Sequence, residues 1–261
     1  MNEVLAIGLQ AMQGDMARLE QVGMNLANAL TPGYKAGLSV QGASGASFAS
    51  HFGAAASALD AASLASAVTP HTVTPHTVTT QYLSDTRPAT LKLTGEALDV
   101  ALAGPGYFEV MTGQGPAYTR SGSFRVDGQG RLVTTQGHAV MGAGGEIVLK
   151  SPSPTIDASG AITSSPSADA QVLGRLRVVQ FEAGAQLTPL GDNLLAAGPA
   201  ISSLQGDAVQ VRQGFVENSN VNPAREMTNL IQTMRHFESM QKVVQTYDDM
   251  LGNAIRKLGE N

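Results

Sequence analysis

The sequence predicts an α+β protein: N- and C-terminal helices pairing as a coiled coil, with a central all-β domain in the form of a small irregular sandwich or barrel. Three observations carry this. Large apolar residues recur every seven positions near the C-terminus, at Leu230, Phe237, Val244, Leu251 and Leu258. A matching strip runs along the first thirty residues, and the middle of the chain switches to a period of two between glycine-rich turns.

Residues 1–35 read as the first element, an assembly helix. Leu5, Leu9, Met12, Met16, Leu19, Gly23, Leu26 and Leu30 alternate spacings of four and three, the seam of a helix that packs against another. Asn2 and Glu3 suit a helix start, and Thr31-Pro32-Gly33 ends the helix and turns the chain. Glu3, Asp15, Arg18 and Glu20 interrupt any apolar run, so no cleaved secretory signal is expected here, and nothing approaches a membrane span.

Residues 36–90 read as a flexible or conditionally ordered linker. Gly, Ala and Ser dominate as far as Ala67, and Phe48, Phe52, Leu59 and Leu64 are too sparse for a core. A tandem pentapeptide, Thr69-Pro70-His71-Thr72-Val73 and Thr74-Pro75-His76-Thr77-Val78, lies inside it. Its two histidines have no carboxylate or cysteine nearby, and the prolines favour an extended or β-edge backbone over a metal site.

Residues 91–211 read as the β domain. Short alternating runs such as Leu98–Leu102, Tyr107–Val110, Ser123–Val126, Glu146–Leu149 and Leu176–Phe181 are separated by Gly104-Pro105-Gly106, Asp127-Gly128-Gln129-Gly130 and Gly142-Ala143-Gly144-Gly145. The Pro-, Ser- and Ala-rich stretch Ser151–Ala170 reads as a surface loop around a short Ala161-Ile162-Thr163 segment.

Residues 212–261 read as the second assembly helix, running from about Gly214 to Leu258. Asn222-Pro223 supplies an N-cap and a proline at the first helical position, and Glu226 adds negative charge to the first turn. Met234 and Ile255 fill intermediate positions of the heptad stripe, while Arg256, Lys257 and Gly259 suit the C-terminal end. At 1.5 Å per residue the helix is roughly 50 Å long, more than one small domain covers, so the N-terminal strip is its natural partner, within the chain or between subunits.

Composition narrows the function. With 29 glycines, no tryptophan and 5% aromatic residues, the chain suits thin layers and many turns. A net charge of −5 with 16 Lys+Arg gives no footprint for nucleic acid, and the absence of cysteine removes disulfides and thiol chemistry. No phosphate loop or nucleophile elbow occurs. The five histidines are scattered without an orienting carboxylate at sequence range, and Asp127 in its D-G-x-G turn suits an Asx turn better than a base. A carbohydrate-cleaving module would need two carboxylates flanking a cleft, for which only Glu96, Asp99, Glu109 and Asp127 cluster in the β domain. No enzyme activity, cofactor, metal or small-molecule substrate is expected.

Three blocks, in order, resemble one family. Asn25-Leu26-Ala27-Asn28 followed by Thr31-Pro32-Gly33-Tyr34-Lys35 is similar to the N-L-A-N-x-x-T-x-G-F/Y-K signature closing the first helix of bacterial flagellar rod and hook proteins. The central run from Leu98 through Tyr118-Thr119-Arg120-Ser121-Gly122-Ser123-Phe124 to Gln136-Gly137-His138 resembles that family's middle. Gly214-Phe215-Val216-Glu217-Asn218-Ser219-Asn220-Val221 resembles its G-x-L-E-x-S-N-V entry to the C-terminal helix. Leu30 stands where a polar residue is common and Val216 where leucine is usual.

The resemblance implies a structural subunit of the flagellar basal-body rod, exported by the flagellar type III apparatus without a cleaved signal and polymerising with other rod subunits in the periplasm to transmit torque. Gln136–Gly142 and Gly174–Val179 are most like the proximal rod subunit. A distal rod or hook-type axial subunit is the alternative. The assembly surface expected on these grounds comprises the two apolar strips together with the signature residues Asn25, Asn28, Asn218, Asn220 and Val221.

Overall fold

A computed structural model describes residues 2–42, 79–149, 154–164, 172–182, 185, 187–197, 201–204 and 208–259. The tandem pentapeptide with His71 and His76 lies outside them, as do Phe48, Phe52, Leu59 and Leu64. Helix α1 spans Asn2–Ala27 and helix α2 spans Pro223–Gly259, with β-strands between them. This is an α+β chain with a central β-rich region, and neither helix is long and apolar enough to cross a membrane. The chain divides into two units, one of Met1–Ala17, Ser39–Gln81 and His236–Asn261, the other of Arg18–Leu38 and Tyr82–Arg235.

The second unit holds the core. A ten-stranded sheet runs in the order Leu187–Gly191, Leu194–Ala197, Gly115–Thr119, Tyr107–Thr112, Ala139–Gly142, Leu132–Thr134 and Phe124–Val126. Gly145–Glu146 pairs beside Ala139–Gly142, and Val178–Phe181 pairs with both Ile201–Leu204 and Tyr107–Thr112. Every pairing described between residues 91 and 217 is antiparallel, both in short hairpins and between distant segments such as Val211–Gln213 and Val100–Leu102.

Alternation along the central strand explains why four consecutive residues are buried. Phe108 and Val110 enter the main cluster with Leu132, Val140, Ile147 and Val178, while Tyr107 faces a second cluster with Tyr118, Val179, Leu187 and Leu195. Both faces of the strand are therefore covered. Phe181 packs 5.2 Å from Tyr107 and 5.1 Å from Tyr118 between ring centroids, closing the smaller cluster.

Three expectations need correction. The helix expected from about Gly214 starts later, because Val211–Gln213 pairs with Val100–Leu102 and Phe215–Glu217 pairs with Leu91–Leu93. Gly214, at φ 76°, turns the chain between them, and α2 begins only at Pro223 behind the Asn222 cap, whose Oδ1 accepts from Arg225 N at 3.2 Å. Apolar content was sufficient for either reading; the left-handed glycine decides it. Likewise, the ends of the expected linker are ordered, since Gly37–Gly42 and Thr79–Ser84 form a two-stranded sheet. Finally, Ser151–Ala170 is no simple surface loop: Thr155–Ile156 and Ala161–Thr163 form a hairpin that puts Ile156 and Ile162 into the main core.

That hairpin repeats another one thirty residues earlier. In each, an aspartate turns the chain: Asp127 Oδ1 accepts from Gln129 N and Arg131 N at 2.8 and 2.9 Å, and Asp157 Oδ1 accepts from Ser159 N and Ala161 N, both at 2.9 Å. Both turns are closed by a glycine N–H donating to the aspartate carbonyl at 3.0 Å, and Leu132 and Ile162 follow at equivalent buried positions. The Asx reading of Asp127 holds.

Candidate functional site

The signature blocks, far apart in sequence, meet in the second unit at one buried polar junction. α1 ends there because the Asn25 side chain is turned inward, 3% exposed, and used as a strand partner: its Oδ1 accepts from Gly37 N at 2.9 Å and its Nδ2 donates to Gly37 O at 3.0 Å. Tyr34 OH donates to the same Oδ1 at 3.1 Å. Asn28 holds the helix end, with Nδ2 donating to Met24 O at 2.9 Å and Oδ1 accepting from Thr31 Oγ1 at 3.2 Å. The turn then passes through Gly33, at φ 72°, where a Cβ would lie 2.3 Å from Ser121 N; only glycine lets the backbones approach this closely.

From that turn the chain reaches the C-terminal block. Gly33 N donates to Glu217 O at 2.7 Å. The Glu217 carboxylate, 1% exposed, receives Lys35 Nζ on one oxygen at 2.7 Å and Arg120 Nε on the other at 2.9 Å. Lys35 also donates to Arg87 O at 2.7 Å, and Arg120 Nη1 donates to Gly104 O and Gly106 O at 3.0 and 2.8 Å. Two buried cations thus share one carboxylate, and the carbonyls of Arg87, Gly104 and Gly106 accept further N–H groups from them, which lowers the cost of holding such charges out of water. Burial pulls the Lys35 amine below its ordinary value against the opposing pull of Glu217.

Asn220 ties the same place to the strand ending at Ser84. Its Oδ1 accepts from Ala36 N at 2.7 Å, and its Nδ2 donates to Asp85 O and Arg87 O at 3.0 and 3.3 Å. Asn218 binds Thr90 through both backbone and side chain, each at 2.9 Å. Asp85 accepts from Arg87 Nε and Nη2, and these hydrogen bonds hold its carboxyl below the usual aspartate value. Tyr107, under the Arg120 guanidinium, has its phenol pushed up to about 12 by burial.

The sequence-derived site residues divide accordingly. Asn25, Asn28, Asn218 and Asn220 belong to the junction, and Val221 is half-buried beside it with its N–H donating to Ser219 Oγ. Sequence reasoning quoted Lys35, Arg120 and Glu217 in the signature blocks but did not place them in the site; the buried ion cluster joins residues from three blocks, and no spacing rule within one block reveals it.

On the helices, Met12, Leu19, Leu26, Leu230, Phe237 and Val244 are half-buried. Leu9, Met16 and Met234, however, are exposed, and the positions one residue earlier, Gly8, Asp15 and Thr233, are the buried ones. Seven-residue spacing is shared by both sets, and the expected strip is divided between half-buried and exposed positions. The side chains of Leu5, Leu251, Ile255 and Leu258 lie outside the described residues. Of the carboxylates weighed for glycoside cleavage, Glu109 is paired with Arg177 at 3.2 Å and Asp127 is held by Arg131 at 2.9 Å.

Fold and junction together define a scaffold: an all-β body in which segments from both chain ends are clasped at one buried point. Comparison with known proteins gives the family. Residues 212–257 match the model for the flagellar basal body rod FlgEFG protein C-terminal region, and residues 101–164 match that for the flagellar hook protein FlgE/F/G D1 domain. The flagellar basal-body rod protein FlgF of Mesorhizobium japonicum is 30% identical over 99% of both chains, and the FlgF of Escherichia coli is 32% identical over 90% of this chain and 89% of its own. The FlgG of Buchnera aphidicola is 39% identical over 62% of this chain, a match spanning 65% of that relative. The chain belongs to the flagellar basal-body rod protein family.

Proposed function

We propose that this protein is a structural subunit of the flagellar basal-body rod, of the proximal type, built to be packed against copies of itself and neighbouring rod proteins and to carry torque through those contacts. The observation that carries this is a strip of large apolar side chains left in solvent on both helices: Leu9 and Met16 on α1, Leu30 just beyond it, and Met227, Ile231 and Met234 on α2. A second strip on the same helices is buried or half-buried. A helix apolar on two faces is stable in water only when something covers both.

Likeness to FlgF-named proteins along nearly the whole chain, against a shorter match to FlgG-named ones, supports the proximal-rod assignment. The inward strips support pairing of α1 with α2 as a coiled coil. Export by the flagellar type III apparatus without a cleaved signal, and residence in the periplasmic basal body, follow from the family reading. A strain lacking its own proximal subunit, complemented with this chain, tests the assignment: rods should complete, and arrest before or after that step points instead to a distal rod or hook-type subunit. In the same strain Ile231→Asp should be exported at parental level yet fail to enter rods. Normal incorporation of that variant removes the outer strip from the interface.

A further inference from the structure

The inward strip of α1 carries a charge. Asp15 is 6% exposed, at a position where a coiled-coil seam ordinarily places an apolar residue. Its Oδ2 lies 2.6 Å from Nδ1 of His236 on α2. An ionised carboxylate only accepts, so the imidazole nitrogen donates, in either charge state of the ring. A second contact fixes how the helices run: a Cβ on Gly8 would lie 3.0 Å from Val244 Cγ2. Seven residues forward on α1, from Gly8 to Asp15, correspond to eight residues back on α2, from Val244 to His236. That is the pattern of antiparallel neighbours.

Resting on the reading that these helices pair, we infer that Asp15 and His236 set the register of the pairing and select an α2, in preference to a second α1, as the partner of α1. Thr233, the other buried polar side chain on the α2 strip, donates to Asn229 O of its own helix at 2.8 Å and so makes no demand on register. Asp15 differs. Interior backbone N–H groups of α1 are already bonded within the helix, so its carboxylate must find a donor across the seam. Slipping by a turn replaces the His236 donor with Gln232, a neutral amide, or with Met240, which has no donor. Pairing α1 with another α1 sets one Asp15 against apolar residues or against a second carboxylate. Only a strip offering a donor at the matching position satisfies it.

The chain has no cysteine, so a single introduced pair reports register cleanly. In the full-length protein, Gly8→Cys with Val244→Cys should form an intramolecular disulfide on mild oxidation, while Gly8→Cys with Met240→Cys, one turn away, should not. Adding Asp15→Ala should lower the first yield at least five-fold. Replacing both partners with leucine should keep the helices together but let both cysteine positions react within two-fold of each other. The exchange Asp15→His with His236→Asp should restore the original selectivity. An unchanged 244-to-240 preference in Asp15→Ala overturns the inference while leaving helix pairing intact. Disulfides joining the cysteines at position 8 of two copies overturn the choice of an α2 partner. No disulfide at all in the parent pair defeats the pairing itself, and the inference with it.

Discussion

The junction and the outer faces of the two helices invert the usual partition of a soluble protein. At the junction Lys35, Arg120 and Glu217 are withdrawn from water, whereas on the helices Met16 is 60% exposed and Leu30 94% exposed. The charged cluster has its charges paired within the chain, Lys35 and Arg120 both on Glu217. The apolar strips are incomplete.

The largest effect expected at the junction comes from Glu217→Ala, which leaves two buried cations without their counter-charge and should cost about 3–5 kcal/mol in denaturant unfolding of the full chain. A loss below 1 kcal/mol, on the order of a surface pair, would mean that the cluster is hydrated and the contrast overstated. Next comes Asn25→Leu, which strands both backbone groups of Gly37 and should cost roughly 1–3 kcal/mol, read from the same unfolding curves.

A smaller, pH-dependent effect belongs to Asp85. Because its folded-state value is depressed, its contribution is present above the ordinary aspartate range and is lost as pH falls through the folded value. Thermal melts from neutrality into acid should therefore fall less steeply for Asp85→Asn than for the parent. Smallest of all is Ile231→Asp, which should shift unfolding by no more than about 0.5 kcal/mol while abolishing incorporation. If it destabilised the free subunit as much as Asn25→Leu, the outer strip would belong to the fold and not to assembly.

Element types in the terminal and central regions were legible because periodicity reports them: the α1 strip, the Asn222 cap and the alternating core strands follow from residue order alone. Three features were not. The strands at 211–217 depend on a partner more than a hundred residues away, and local apolar content does not distinguish them from a helix start. Which of two heptad-spaced sets is buried does not follow from residue size, since Met16 is exposed and Asp15 is buried. The junction itself was visible only as quoted signature residues. Asn25 and Glu217 owe their roles to contacts with Gly37, Lys35 and Arg120 that form only after folding.

The twin aspartate turns differ in one practical respect. The first, Asp127-Gly128-Gln129-Gly130, exposes its middle residues and binds outward, Arg131 reaching Glu146 at 3.5 Å. Both turns are tied at their last glycine, Gly130 O accepting from Leu149 N at 2.7 Å and Gly160 O from Leu176 N at 2.8 Å, but the second is also held at its tip, where Ala158 O accepts from Val211 N at 2.9 Å. Two hairpins with the same hydrogen-bond plan therefore offer unequal hospitality to foreign sequence. A small epitope or fluorophore tag spliced between Gly128 and Gln129 has open solvent to enter, while the same insertion between Ala158 and Ser159 would pry apart the strand on which Val211 and Gln213 lie. The first turn is the place from which a subunit's position in an assembled rod can be reported without disturbing the body that holds it.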